Sequence, residues 1–190
     1  FKESDPVLRG RWLEAKNRSI RKSLLLDTER RAIAEELEAG GIWYLPLKGS
    51  ILKDWYPEYG MRDMADVDIL FDPAMRGQVR DIFRQRGYTV ESFGRFHHDI
   101  YKKPPVYHFE MHVSLFGERF TELADAYTSV GGKLLPVAGK RFERRLSPED
   151  FYVFIMAHAY KHATESGTGI RTLSDIFVMN RKLGAVIDRK

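Results

Sequence analysis

Two aspartates one residue apart, Asp66 and Asp68, are the best-placed residues for chemistry in this chain of 190 residues. They open the run Asp66-Val67-Asp68-Ile69-Leu70-Phe71, whose β-branched and aromatic content predicts a strand. Side chains alternate faces along a strand, so both carboxylates point to one side. Two bare carboxylates at that spacing repel and raise each other's pKa. A divalent cation removes the conflict, and hard oxygen donors suit Mg²⁺ or Mn²⁺. The plain alternative is a pair of aspartates on an exposed strand edge, because so short a motif recurs by chance.

Two other stretches give the pair a context. Lys48-Gly49-Ser50 follows the strand-forming residues 42–47 and precedes a short predicted helix at 50–55. A glycine there lets the backbone approach a phosphate, and a helix N-terminus offers free amides. Ser50 would add a hydroxyl and Lys48 a charge; a tight turn with a surface lysine is the simpler reading. Downstream, His108-Phe109-Glu110-Met111-His112 reads as a strand with His108, Glu110 and His112 on one face. Glu110 is then a third metal ligand or a general base. The same stripe also suits a solvent-facing sheet surface or a His/Glu/His transition-metal site. With His97, His98 and Asp99, the latter extends to a metal-dependent hydrolase.

The elements that must position these residues follow from periodicity and punctuation. Residues 6–38 read as a helix, with Leu24, Leu25, Leu26, Ile33, Ala34 and Leu37 near helical spacing and Gly40-Gly41 as the stop. Asp72-Pro73 starts a helix running to about residue 86. Strands are predicted at 88–92, 98–102 and 107–115, the last two antiparallel across Pro104-Pro105. Residues 121–130 are weakly helical. Ser147-Pro148 caps a helix through residue 163, and a last helix covers 170–183. The expected fold class is α+β, a mixed sheet with flanking helices. It divides into an N-terminal helical segment (1–41), a core (42–118) and a helical C-terminal part (119–190), all compatible with one continuous domain.

Composition narrows the classes. The chain has no cysteine, which removes disulfides, thiolate metal sites and cysteine nucleophiles and fits a cytoplasmic setting. No apolar run approaches the roughly 18 residues of a membrane span. The net charge of +4 comes from 31 basic and 27 acidic residues that are interleaved, not from a concentrated basic stripe.

Together, Gly49-Ser50, Asp66-Val67-Asp68 and Phe109-Glu110-Met111 resemble the nucleotidyltransferase superfamily, the polymerase-beta-like fold. A narrower resemblance is to a bacterial family of uncharacterised nucleotidyltransferases, through Leu47-Lys48-Gly49, Tyr56-Pro57, Arg62, Asp66-Val67-Asp68-Ile69-Leu70 and Glu110-Met111-His112. It covers residues 42–115, with looser agreement around His158 and Asp175. Lys48 stands where the broad pattern has a hydrophobic residue. The resemblance implies transfer of a nucleoside monophosphate from an NTP such as ATP, with release of pyrophosphate. Asp66, Asp68 and Glu110 would be catalytic and hold Mg²⁺ or Mn²⁺. Lys48, Gly49, Ser50 and Arg62 would bind the nucleotide's phosphates, and His112, His158 and Lys161 would contact the acceptor or support the site. The acceptor, whether small molecule, protein or RNA, is not implied. A non-catalytic nucleotide-binding module on the same fold is the other outcome.

Overall fold

The computed structural model describes residues 5–117, 121–127, 130–165, 167 and 169–187. The chain opens with one long helix, α1 (Pro6–Ala39). Asp5 caps it by accepting from the Val7 N–H at 2.8 Å, and Pro6 fills the first position, where a missing N–H is harmless. Gly41 ends it at φ 70°, and the Ile42 N–H returns to the Leu37 carbonyl at 2.9 Å, the left-handed closure that glycine favours. Leu26, Ile33, Ala34 and Leu37 face the core, whereas Leu24 and Leu25 are exposed. Three consecutive residues span some 200° of helix, so only one leucine of the three fits the buried stripe.

Five strands form one mixed sheet: β1 (Tyr44–Pro46), β2 (Val67–Phe71), β3 (Thr89–Ser92), β4 (His98–Lys103) and β5 (Tyr107–His112), in the order β1-β2-β5-β4-β3. β2 and β5 run parallel, and every other neighbouring pair is antiparallel. The predicted hairpin across Pro104-Pro105 is present, with Lys103 opposite Tyr107. The strand predicted from residue 66 begins at Val67, and Asp66 sits on the bend before it. Between β1 and β2 lies α2 (Gly49–Leu52), prolonged by a 3-10 turn at Lys53–Trp55. Between β2 and β3 lies α3 (Arg76–Gln85), entered through a turn capped by Asp72. The fold class is α+β, as expected.

The C-terminal part holds α4 (Thr121–Ala126), α5 (Val130–Lys133), the short pair β6 (Leu135–Pro136) and β7 (Arg144–Arg145), then α6 (Pro148–Glu165) and α7 (Ile170–Leu183). β6 and β7 were not expected, since two-residue pieces carry no period-2 signal. Parts of the expected helix at 121–130, of the loop before α7 and the expected boundary at 118–119 lie outside the described residues.

The sheet separates two hydrophobic cores. Val67, Ile69, Phe71, Tyr101, Phe109 and Met111 pack against α1 and α3. On the other face, Leu45, Leu70 and Leu115 pack against Phe151, Phe154 and Ile155 of α6 and Met179 of α7. Burial of such side chains is worth about 1.5–3 kcal/mol each, so α6 is fastened over the face that carries Asp68 and Glu110. Among the described residues no helix is long and apolar enough to cross a membrane.

Candidate active site

Asp68 and Glu110 stand opposite one another in the register of the parallel strands β2 and β5. Side chains directly opposite on adjacent strands share a face, so the two carboxylates meet beneath α6. The turn after β1 is locked beside them, because the Leu47 N–H donates to the Asp68 carbonyl at 3.0 Å. The next residue, Lys48, has φ 47°, a left-handed conformation unfavourable for a side chain with a Cβ. It sends its ammonium to Asp68 Oδ1 at 2.6 Å. His112 Nε2 approaches the same oxygen at 2.8 Å. Asp68 Oδ2 has no protein donor among the described residues.

These neighbours set the charges. Burial pushes the Asp68 carboxyl up, but the Lys48 ammonium and the His112 hydrogen bond outweigh it and hold Asp68 well below the usual carboxylate range. Glu110 has no such donors among the described residues. Burial, then the charges of Asp68 and Asp66, push its pKa up to about 7. His158 is lowered to about 3, by burial and then by the Lys48 charge. His97 and His98 are each lowered to about 4, by burial and then by neighbouring His112.

Two cavities open on this cluster. The larger, of about 490 Å³, has Lys48, Gly49, Asp66, Asp68 and Glu110 on the sheet side and His158 and Arg171 on the helix side. The smaller, of about 230 Å³, is lined by His97, His98, His112 and Lys161. Lys48, Glu110, His158 and His162 belong to both walls. At Gly49 a Cβ would come within 3.2 Å of Met64 Sδ, so glycine keeps the turn close to its neighbour without crowding.

The predicted site residues therefore take different positions. Asp68, Glu110 and His112 offer ligand atoms within 4.8 Å of one another, with two hard oxygen donors among them. Asp66 lines the cavity but stands outside that tight group, because the chain bends before β2. Ser50 is buried, does not line either cavity, and its Oγ has no hydrogen-bond partner among the described residues. The Arg62 guanidinium is at the rim of the larger cavity, but Asp175 of α7 engages it through Nε at 2.7 Å and Nη2 at 2.9 Å. The Tyr56 hydroxyl also donates to Asp175, at 2.7 Å. This clamp between residues 56–62 and α7 was not expected. The only sequence signal was an acidic residue on the last helix.

The donor set suits a hard divalent cation: ionised Asp68 with a spare oxygen, Glu110 beside it and Asp66 at the cavity wall. The mixed α+β sheet is the fold expected of a nucleotidyltransferase. The chain belongs to the family described as uncharacterised nucleotidyltransferase, which it matches over residues 2–190. No curated protein matches it in sequence.

Solved structures share the fold. The antibiotic-resistance factor ANT(2'')-Ia superposes with a TM-score of 0.60 at 12% identity, covering 83% of this chain and 84% of that one. The same protein in complex with adenylyl-2''-tobramycin gives 0.58 at 15% identity, covering 83% and 89%. The lincosamide antibiotic adenylyltransferase LnuA, lincomycin-bound, gives 0.54 at 15% identity, covering 80% and 95%.

Proposed function

We propose that the chain is a Mg²⁺- or Mn²⁺-dependent enzyme that moves a nucleoside monophosphate from an NTP to an acceptor hydroxyl, releasing pyrophosphate. The observation that carries this reading is the in-register pair Asp68 and Glu110 at the wall of a 490 Å³ cavity that also exposes Asp66 and Gly49. ATP is the favoured donor, since two structural neighbours are described by adenylyl chemistry.

Asp66, Asp68 and Glu110 would hold the cation, which when bound neutralises charge on the phosphates. Lys48, already poised at Asp68, would shift to a phosphate oxygen, leaving the carboxylate free. Gly49, which lines the larger cavity, would face the phosphates. Arg62, held by Asp175, would set the rim from which α7 closes the cavity. Where Glu110 is not a ligand of the cation, it would instead be the base that takes the acceptor's proton. The acceptor oxygen forms the new bond to the α-phosphorus, the bond to pyrophosphate breaks, and in that case the proton goes to Glu110. His112 keeps Asp68 oriented, while His158 and Lys161 of α6 face the acceptor. A chain without cysteine that consumes NTP fits the bacterial cytoplasm.

The test is incubation with α-labelled ATP, Mg²⁺ and fractionated small molecules, protein and RNA. Label should move to one fraction with an equal release of pyrophosphate, and the transfer should vanish in Asp68→Asn. Saturable Mg·ATP binding without transfer to any fraction would instead identify a non-catalytic nucleotide-binding module.

A further inference from the structure

Nucleotidyl transfer gives His97 and His98 of the smaller cavity no task, and it uses only one ring nitrogen of His112. His97 precedes β4, His98 opens it, and His112 closes β5 directly opposite His98 in the register. The His97 carbonyl accepts from the Val113 N–H at 2.8 Å, so the backbone already holds both ends together. One ring nitrogen of each of the three lies within 4.8 Å of the others. His98 Nδ1 and His97 Nε2 approach to 3.4 Å. Two donors on one tetrahedral ion with metal–nitrogen bonds of about 2.0–2.1 Å would lie about 3.3 Å apart.

His112 supplies the second observation. A carboxylate can only accept, so the contact with Asp68 Oδ1 at 2.8 Å places the proton of the neutral ring on Nε2. Nδ1 then carries a lone pair, and it is buried with no hydrogen-bond partner among the described residues. Such an orphan is unfavourable unless something binds it. A carboxylate holding the far side of an imidazole is also how proteins orient a metal-ligating histidine.

We propose that His97, His98 and His112 bind a borderline divalent transition ion of the Zn²⁺ class. Three imidazoles favour such an ion over Mg²⁺, which prefers oxygen. The site is separate from the carboxylate set but coupled to it, because His112 bonds Asp68. His98 Nε2, the ring nitrogen turned away from His97, lies 3.9 Å from Glu110 Oε2.

The test is titration of the metal-free chain with Co²⁺ in excess Mg²⁺, followed by visible absorption, then displacement with Zn²⁺. One equivalent should bind with an intense band typical of low coordination number. His97→Gln and His98→Gln should each weaken binding at least tenfold, and His108→Gln should leave it unchanged. On the unaltered chain, Zn²⁺ should shift the ¹⁵N resonances of these three rings and not that of His108, a readout that needs no variant to fold. Absence of stoichiometric uptake overturns the proposal. So does uptake that survives both glutamine variants and is lost in Asp68→Asn, which would place the ion on the carboxylates.

Discussion

The two faces of the sheet each bury an aspartate, and they treat it in opposite ways. On the α1/α3 face, Asp99 is fully buried. Arg76 forks onto both its oxygens at 2.8 and 2.6 Å, and the Gly94 N–H adds a third bond at 2.8 Å. On the α6 face, Asp68 is nearly as buried, yet Lys48 and His112 both converge on Oδ1. Around it collect a left-handed lysine, a carboxyl near neutral pKa and two buried polar atoms with no partner among the described residues, Ser50 Oγ and His112 Nδ1. A charge that only holds the fold together is closed on every side. A charge that is to meet a ligand is left partly open, and the strain around it is the expected sign of a working site.

The sharpest break in this comparison comes from neutralising each aspartate. Asp68→Asn should cut nucleotide transfer by about 10³-fold or more, since a cation's charge stabilisation is worth several kcal/mol and each 1.36 kcal/mol is a factor of ten. Asp99→Ala should leave transfer per folded molecule unchanged. It should instead lower the unfolding free energy by about 3 kcal/mol, because it strands a partly buried guanidinium. Denaturant unfolding and label transfer on both variants decide it. If Asp99→Ala lost activity in step with Asp68→Asn, the faces would not divide the labour.

The site face was partly legible in the sequence. The period of two in Asp66-Val67-Asp68 and in residues 108–112 locates the carboxylates, because strand parity depends only on spacing. Spacing says nothing of which strands adjoin, so the pairing of Asp68 with Glu110 emerges from the order β1-β2-β5-β4-β3. Nor does it reveal long-range partners: Asp175 is 113 residues from Arg62, and Asp99 gave no sign of Arg76. The Asp66 displacement is a local matter, a bend one residue before β2 that propensity does not resolve. The apolar stripe of α1 was readable only in part, since Leu24, Leu25 and Leu26 look alike until the core selects one.

Glu110 sharpens the comparison at intermediate size. Its folded pKa of about 7 lies above the ordinary value near 4.3. The folded chain therefore binds more protons than the unfolded one between about pH 4 and pH 7. Stability from this group is complete below the unfolded pKa and is lost as pH rises through the folded one. In EDTA at pH 8, Glu110→Gln should raise the unfolding free energy by about 2 kcal/mol, after discounting for the group's partial exposure. At pH 4 the gain should disappear. Mg²⁺ at pH 8 should stabilise the unaltered chain and not the variant. A gain that persists at pH 4 would point to better packing instead of a relieved charge.

The smallest effect belongs to Lys48, the one non-glycine residue with positive φ among those described. Two substitutions separate its charge from its backbone. Lys48→Met and Lys48→Gly both remove the ammonium from Asp68. Methionine keeps a Cβ at φ 47°, whereas glycine adopts that conformation freely. Glycine ordinarily lowers stability by about 0.5–1 kcal/mol through its greater freedom when unfolded. Strain at such a position is worth about 1–3 kcal/mol in the other direction. Lys48→Gly should therefore be the more stable of the two by about 1 kcal/mol, which thermal unfolding at fixed pH in EDTA can resolve. The usual order, with methionine ahead, would show that the turn holds no strain. The lysine would then owe its place to its ammonium alone.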